Sequence, residues 1–111
     1  MIIGKRLLSL HGHRETRQVE VRIHAPEPDG TSWICRYEID WPEGRRDSNG
    51  AGFDSIQALH LTLQKIGIEL YSSRHHASAQ LAWGEPSRGY GFPVPKNARD
   101  LLIGEDERFE R

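Results

Sequence analysis

The stretch from Asp54 to Tyr71, DSIQALHLTLQKIGIELY, decides how the rest of the chain reads. Ile56, Leu59, Leu63, Ile66 and Leu70 recur at steps of three and four, which stacks them on one face of a helix. Asp54 is the expected N-cap, its carboxylate accepting backbone N–H bonds that the first turn leaves open, and Gln57 completes a capping box. Phe53, just before the cap, is expected to pack as a staple that sets the entry angle.

Outward from this helix the chain alternates with period two. Residues 2–10 (IIGKRLLSL), 18–24 (QVEVRIH) and 33–41 (WICRYEIDW) read as strands, the last most clearly. Trp33, Cys35, Tyr37, Ile39 and Trp41 share one face, and Ile34, Arg36, Glu38 and Asp40 the other, as in a sheet with one covered and one wet side. A register pairing Val21 with Cys35 sets Glu20 opposite Arg36. HGHRETR at 11–17 reads as a hairpin connection, and APEPDGTS, with two prolines, as a loop. RRDSNGAGF at 45–53 is an irregular strand or a bend, since Asn49-Gly50 alone signals a turn. SSRHHASAQ is a polar connection, residues 80–83 a short strand, and GYGFPVP irregular. A short helix is expected near residues 99–103, capped by Asn97 and stopped by Gly104. The expected fold is a two-layer α+β domain, an antiparallel sheet of about four strands covered on one face by a single long helix. Residues 1–95 form that domain, and 96–111 a C-terminal extension, partly ordered.

The totals exclude several classes. The chain has 111 residues, enough for one core without staples. Its 15 basic and 16 acidic residues leave a net charge of −1, which argues against a nucleic-acid partner. Cys35 is the only cysteine, so no internal disulfide forms and a reducing cytoplasm fits. No apolar run suits a signal peptide or a membrane span, so no membrane partner is expected.

The Trp33–Cys35–Tyr37 strand, GFDSIQALHLTL at 52–63 and GYGFPVP at 89–95 occur in this order. Over residues 5–95 the chain resembles a family of small bacterial proteins known only as a domain of unknown function. The resemblance implies an α+β domain in a bacterial cytoplasm and carries over no catalytic residue.

Chemistry-bearing motifs are sparse. His11 and His13 supply two imidazoles where zinc takes three or four ligands, so a solvated hairpin loop is expected and no metal or cofactor. His75 and His76 are adjacent and diverge, His24 ends a strand, and His60 borders the helix's core stripe. Cys35 falls on the covered face and reads as a small core residue. No nucleophile elbow, zincin or P-loop pattern occurs. The glycines of NGAGF precede a helix whose first turn Asp54 already answers, so a bend is expected there rather than an anion site.

The helix carries one oddity. Leu61 and Ile68 lie nearly opposite the core stripe, with Lys65 between them. They are either covered, by residues 101–103 or by a second molecule, or simply exposed. Leu61, Lys65 and Ile68 are therefore interface candidates. Gly67 is expected where helix and sheet approach closely. Trp41, Arg45, Arg46 and Tyr90 are candidates for a binding rim at the sheet end, although their aromatic rings equally suit a core plug. The expected function is a non-enzymatic protein-interaction module, self-associating or of immunity or antitoxin type. The alternative is a small enzyme or ligand-binding protein with its site near Trp41, Arg45 and Tyr90.

Overall fold

The computed structural model describes residues 1–110, so Arg111, the last residue of the expected extension, lies outside the described residues. The strands are β1 (Ile2–His11), β2 (Thr16–His24), β3 (Glu27–Asp29), β4 (Ser32–Trp41), β5 (Gly44–Gly52) and β6 (Leu81–Ala82). The helices are α1 (Ser55–Tyr71), α2 (Arg74–Ala77) and α3 (Gly104–Glu110), with a 3-10 turn at Lys96–Leu101. The α+β class is as expected, with two corrections. The antiparallel sheet has six strands among the described residues rather than about four. The helix content is also divided: α1, at 17 residues, is the longest of several segments.

β4 is the sheet's axis. β5 pairs with it from Trp33↔Gly52 to Trp41↔Gly44 and takes one whole edge. β2 and β3 therefore share the other, and β1 and β6 follow beyond β2. The expected register was four residues out: Val21 pairs with Ile39 and Arg22 with Glu38. The cause is β3. The Pro-rich loop re-enters the sheet, with Glu27 opposite Ile34, and occupies the stretch of β4 that the expected register gave to β2. An even shift leaves every side chain on its expected face, so Cys35, Tyr37 and Ile39 are all fully buried.

Close contacts divide the chain into two units, 1–7 with 19–62 and 8–18 with 63–111. In the first, α1 begins with the expected cap: the Gln57 N–H donates to Asp54 Oδ1 at 2.8 Å. The Gln57 side chain reaches back to the Phe53 N–H, one residue earlier than in the usual box. Phe53 makes no staple and is 88% exposed. Its partner position in the helix is Ala58, too small to meet it and packed on the sheet instead.

That packing corrects the core stripe. Ile56 is 77% exposed, whereas Ala58 and Thr62 are fully buried. The reason lies in β5. A Cβ on Gly52 would fall 2.5 Å from the Ala58 nitrogen, and one on Gly50 would fall 2.3 Å from Thr62 Oγ1. Two glycines two apart on one face of a strand let the helix backbone come down onto the sheet. The Thr62 hydroxyl donates to the Cys35 carbonyl at 3.0 Å, fixing the contact. The NGAGF segment is therefore a strand that seats the helix, not a bend.

One buried polar atom in this core is unsatisfied. The Tyr37 hydroxyl has no hydrogen-bond partner among the described residues. An orphaned hydroxyl costs about 1–3 kcal/mol. Tyr37→Phe is expected to raise stability by about 1 kcal/mol, read as a higher urea midpoint at unchanged m value.

In the second unit, Leu81 and Ala82 pair with Leu10 and Ser9. The segment expected as a polar connection contains α2, capped by Ser73. Gly67 makes its close approach to the loop, not to the sheet: a Cβ there would lie 2.0 Å from the Pro93 carbonyl oxygen. The tail departs from expectation as well. Pro95 rather than Asn97 precedes the 3-10 turn, and Gly104, at φ 58°, starts α3 instead of stopping a helix.

Candidate functional site

Three groupings of side chains stand out, each within one unit. The first is apolar and exposed. Phe53, Ile56 and Leu61 are 88%, 77% and 38% exposed. Beside them a shallow groove of about 330 Å³ is lined by Ser32, Ala51, Gly52, Phe53, Gln57 and Leu61. The geometry follows from the glycine seat. Turning Ala58 and Thr62 onto β5 rolls Ile56 outward and leaves Leu61 on the flank of the helix. Among the described residues β5 pairs only with β4, so no strand lies along its other edge.

The second is ionic. On the wet face Arg22 donates to Glu38 at 2.9 Å, to Asp40 at 2.7 Å and to Glu20 at 3.1 Å. Its side chain is only 14% exposed. Burial alone would raise the Glu38 carboxyl, but hydrogen bonds from Arg22 and His24 outweigh it and hold the group below its ordinary value. The Arg22 hydrogen bond lowers Asp40 likewise. The three carboxylates in turn hold the guanidinium charged, and its proton affinity rises further.

The third is a buried aromatic and acidic cluster. Tyr71, His76 and Tyr90 pack with ring centroids 5.0–5.5 Å apart. The Tyr90 hydroxyl meets His76 Nδ1, and a recess of about 70 Å³ beside them is lined also by Ser87 and Ala79. Burial lowers the His76 imidazole and pushes the Tyr90 hydroxyl up to about 12, the Asp106 charge adding to the latter. Ala79, at φ 59°, is the left-handed residue after α2, where its N–H and that of Gln80 close the helix on His76 and His75.

The residues singled out in the sequence scatter over these groupings. Leu61 lines the groove, Lys65 is exposed on the same helix and Ile68 is half-buried. Trp41 closes the β4–β5 hairpin opposite Gly44, and Arg45 pairs with Asp47 at 2.9 Å. Arg46 stands opposite Ile39. Tyr90 is 2% exposed. His11 lies 3.3 Å from Thr16 Oγ1, and His24 bonds Glu38. Among the described residues no three His, Cys, Asp or Glu side chains converge as a metal site. Cys35 is fully buried and donates to the His24 carbonyl, and burial raises its thiol, with a hydrogen bond to Thr62 opposing. No helix among the described residues is long and apolar enough to cross a membrane. Sequence reasoning missed Phe53 and Ile56 as surface residues and Asp106 as a buried one. The available signal for the first pair was the Gly50–Gly52 spacing.

A family profile matches residues 4–94, from β1 to the end of the GYGFPV segment that closes over α1. The chain belongs to the family described as a domain of unknown function, DUF6968. No curated protein and no solved structure matches it. The DUF6968 match includes the exposed groove and the ionic face, and it ends before the 3-10 turn and α3.

Proposed function

We propose that this DUF6968 protein is a non-enzymatic, cytoplasmic protein-interaction module that docks through the Phe53–Ile56–Leu61 groove, with a second copy of the chain as the partner. The observation that carries the reading is the exposure of Phe53 and Ile56. Two large apolar side chains beside an apolar groove gain on the order of 2 kcal/mol each when covered. A net charge of −1 spread over mixed signs lets two copies approach without strong repulsion. The buried thiol of Cys35 suits a reducing compartment. Sedimentation of the full chain across concentrations tests the proposal. The wild type is expected to shift toward a dimer, and Phe53→Ser combined with Ile56→Glu to sediment as a monomer with the folded circular-dichroism spectrum of the wild type. A wild type that stays monomeric up to millimolar concentration would refute it.

A further inference from the structure

The Gly89–Gly91 turn is built around a carboxylate. Asp106, 3% exposed, accepts from the Gly91 N–H on Oδ1 at 2.7 Å. On Oδ2 it accepts from the Tyr90 N–H at 2.7 Å and from the Tyr71 hydroxyl at 2.5 Å. Tyr71 in turn accepts from the Ile103 N–H at 3.3 Å, which aims its proton at the carboxylate. Gly89 and Gly91 sit at φ 97° and 75°, and the Tyr90 and Gly91 N–H groups point into one concavity. Gly89 also leaves the room: a Cβ there would fall 2.5 Å from Asp106 Cγ. Tyr71, Tyr90 and Gly91 all lie within the family match at 4–94, while the carboxylate comes from α3, outside it. Beside it the Glu105 N–H donates to the Arg88 carbonyl, and Arg88 Nε pairs with Glu105 at 2.8 Å.

We infer that the Tyr71 hydroxyl and the Tyr90 and Gly91 N–H groups form a receptor for a planar carboxylate, which this chain fills from within by docking α3 through Asp106. Both carboxylate oxygens are used and every contributed group is a donor, so the site takes a carboxylate anion and rejects cations and amides. The wall stands close to the carboxyl carbon, where a Cβ on Gly89 would fall 2.5 Å from Asp106 Cγ, so the further oxygens of a tetrahedral phosphate lack room. An external carboxylate enters only where the Asp106 side chain is withdrawn.

Chemical complementation tests this on the full chain. Asp106→Ala leaves the donors in place and empties the site. Sodium formate is expected to raise its melting temperature saturably, by roughly 5 °C over equal sodium chloride, and to shift the Tyr90 and Gly91 amide resonances along one line. The wild type should show neither effect. If Asp106→Ala does not fold in chloride, recovery of its folded spectrum by formate is the supporting result. Equal stabilisation by phosphate, or no difference between formate and chloride, overturns the inference. Asp106→Asn, nearly isosteric, gives an independent reading. Hydrogen exchange at Tyr90 and Gly91 should accelerate at least about tenfold while the Leu10 amide is unchanged; unaltered exchange at both would also overturn it.

Discussion

Gly67→Ala is expected to destabilise the protein by about 2 kcal/mol, lowering its melting temperature by roughly 10 °C. Helix propensity alone gives the opposite sign, since alanine in the middle of α1 should gain about 1 kcal/mol over glycine. The decisive contact is with backbone. The new methyl would lie 2.0 Å from the Pro93 carbonyl oxygen and 3.2 Å from Val94 Cγ1. A flexible side chain could swing aside, but a carbonyl between two prolines moves only with its whole segment. Overpacking against such a wall costs about 3 kcal/mol, and propensity offsets about a third of it. Thermal unfolding of the two proteins side by side reads the sign directly. A stabilised variant would mean that Phe92–Pro95 does not lie on the helix.

Arg22→Ala is expected to cost about 2–3 kcal/mol at pH 7. The loss has two parts: four charge-assisted hydrogen bonds disappear, and Glu20, Glu38 and Asp40 are left facing each other. Asp40, 40% exposed, contributes less because water screens it, and Glu38, at 17%, contributes more. The pH dependence follows from the depressed carboxyls. Glu38 and Asp40 titrate lower in the folded chain than unfolded. Their contribution is therefore complete above the unfolded values near pH 4 and is lost as pH falls through the folded ones. Urea melts should show the gap between wild type and variant wide at pH 7 and narrowing as pH falls below about 4. A gap independent of pH would assign the role of Arg22 to its apolar stem.

The sequence carried the α+β class, the faces of β2 and β4 and the Asp54 cap, because each depends on local periodicity or local hydrogen bonding. The strand faces survived even a four-residue register error, since an even shift cannot turn a side chain over. What was not legible depended on contacts between distant segments. The core stripe was assigned to the largest side chains, Ile56 and Leu59 among them. Ile66 and Leu70 are buried as expected, but the first half of the helix lies on Ala58 and Thr62, because Gly50 and Gly52 on β5 admit them. Nothing within α1 signals that preference. β3 was hidden by Pro26 before it and Pro28 within it, which an outlying strand tolerates where an N–H group is not needed. Of the candidate sites, Leu61 was legible as an apolar residue on the wrong side of a helix. The carboxylate receptor was not: Asp106 sits in a charged run, GEDERFER, that reads as solvated, and only its position against Tyr90 and Gly91 reveals the burial.

The orientation of α1 on β5 underlies the groove and the glycine contacts, and thiol labelling tests it directly. Cys35 is the only native thiol and is fully buried, so the wild type should be silent toward a thiol reagent. Ile56→Cys should react at nearly the rate of an unfolded peptide, whereas Thr62→Cys should be protected until the protein is denatured. Protection at 56 together with rapid labelling at 62 would show the helix rolled the other way and would contradict the account.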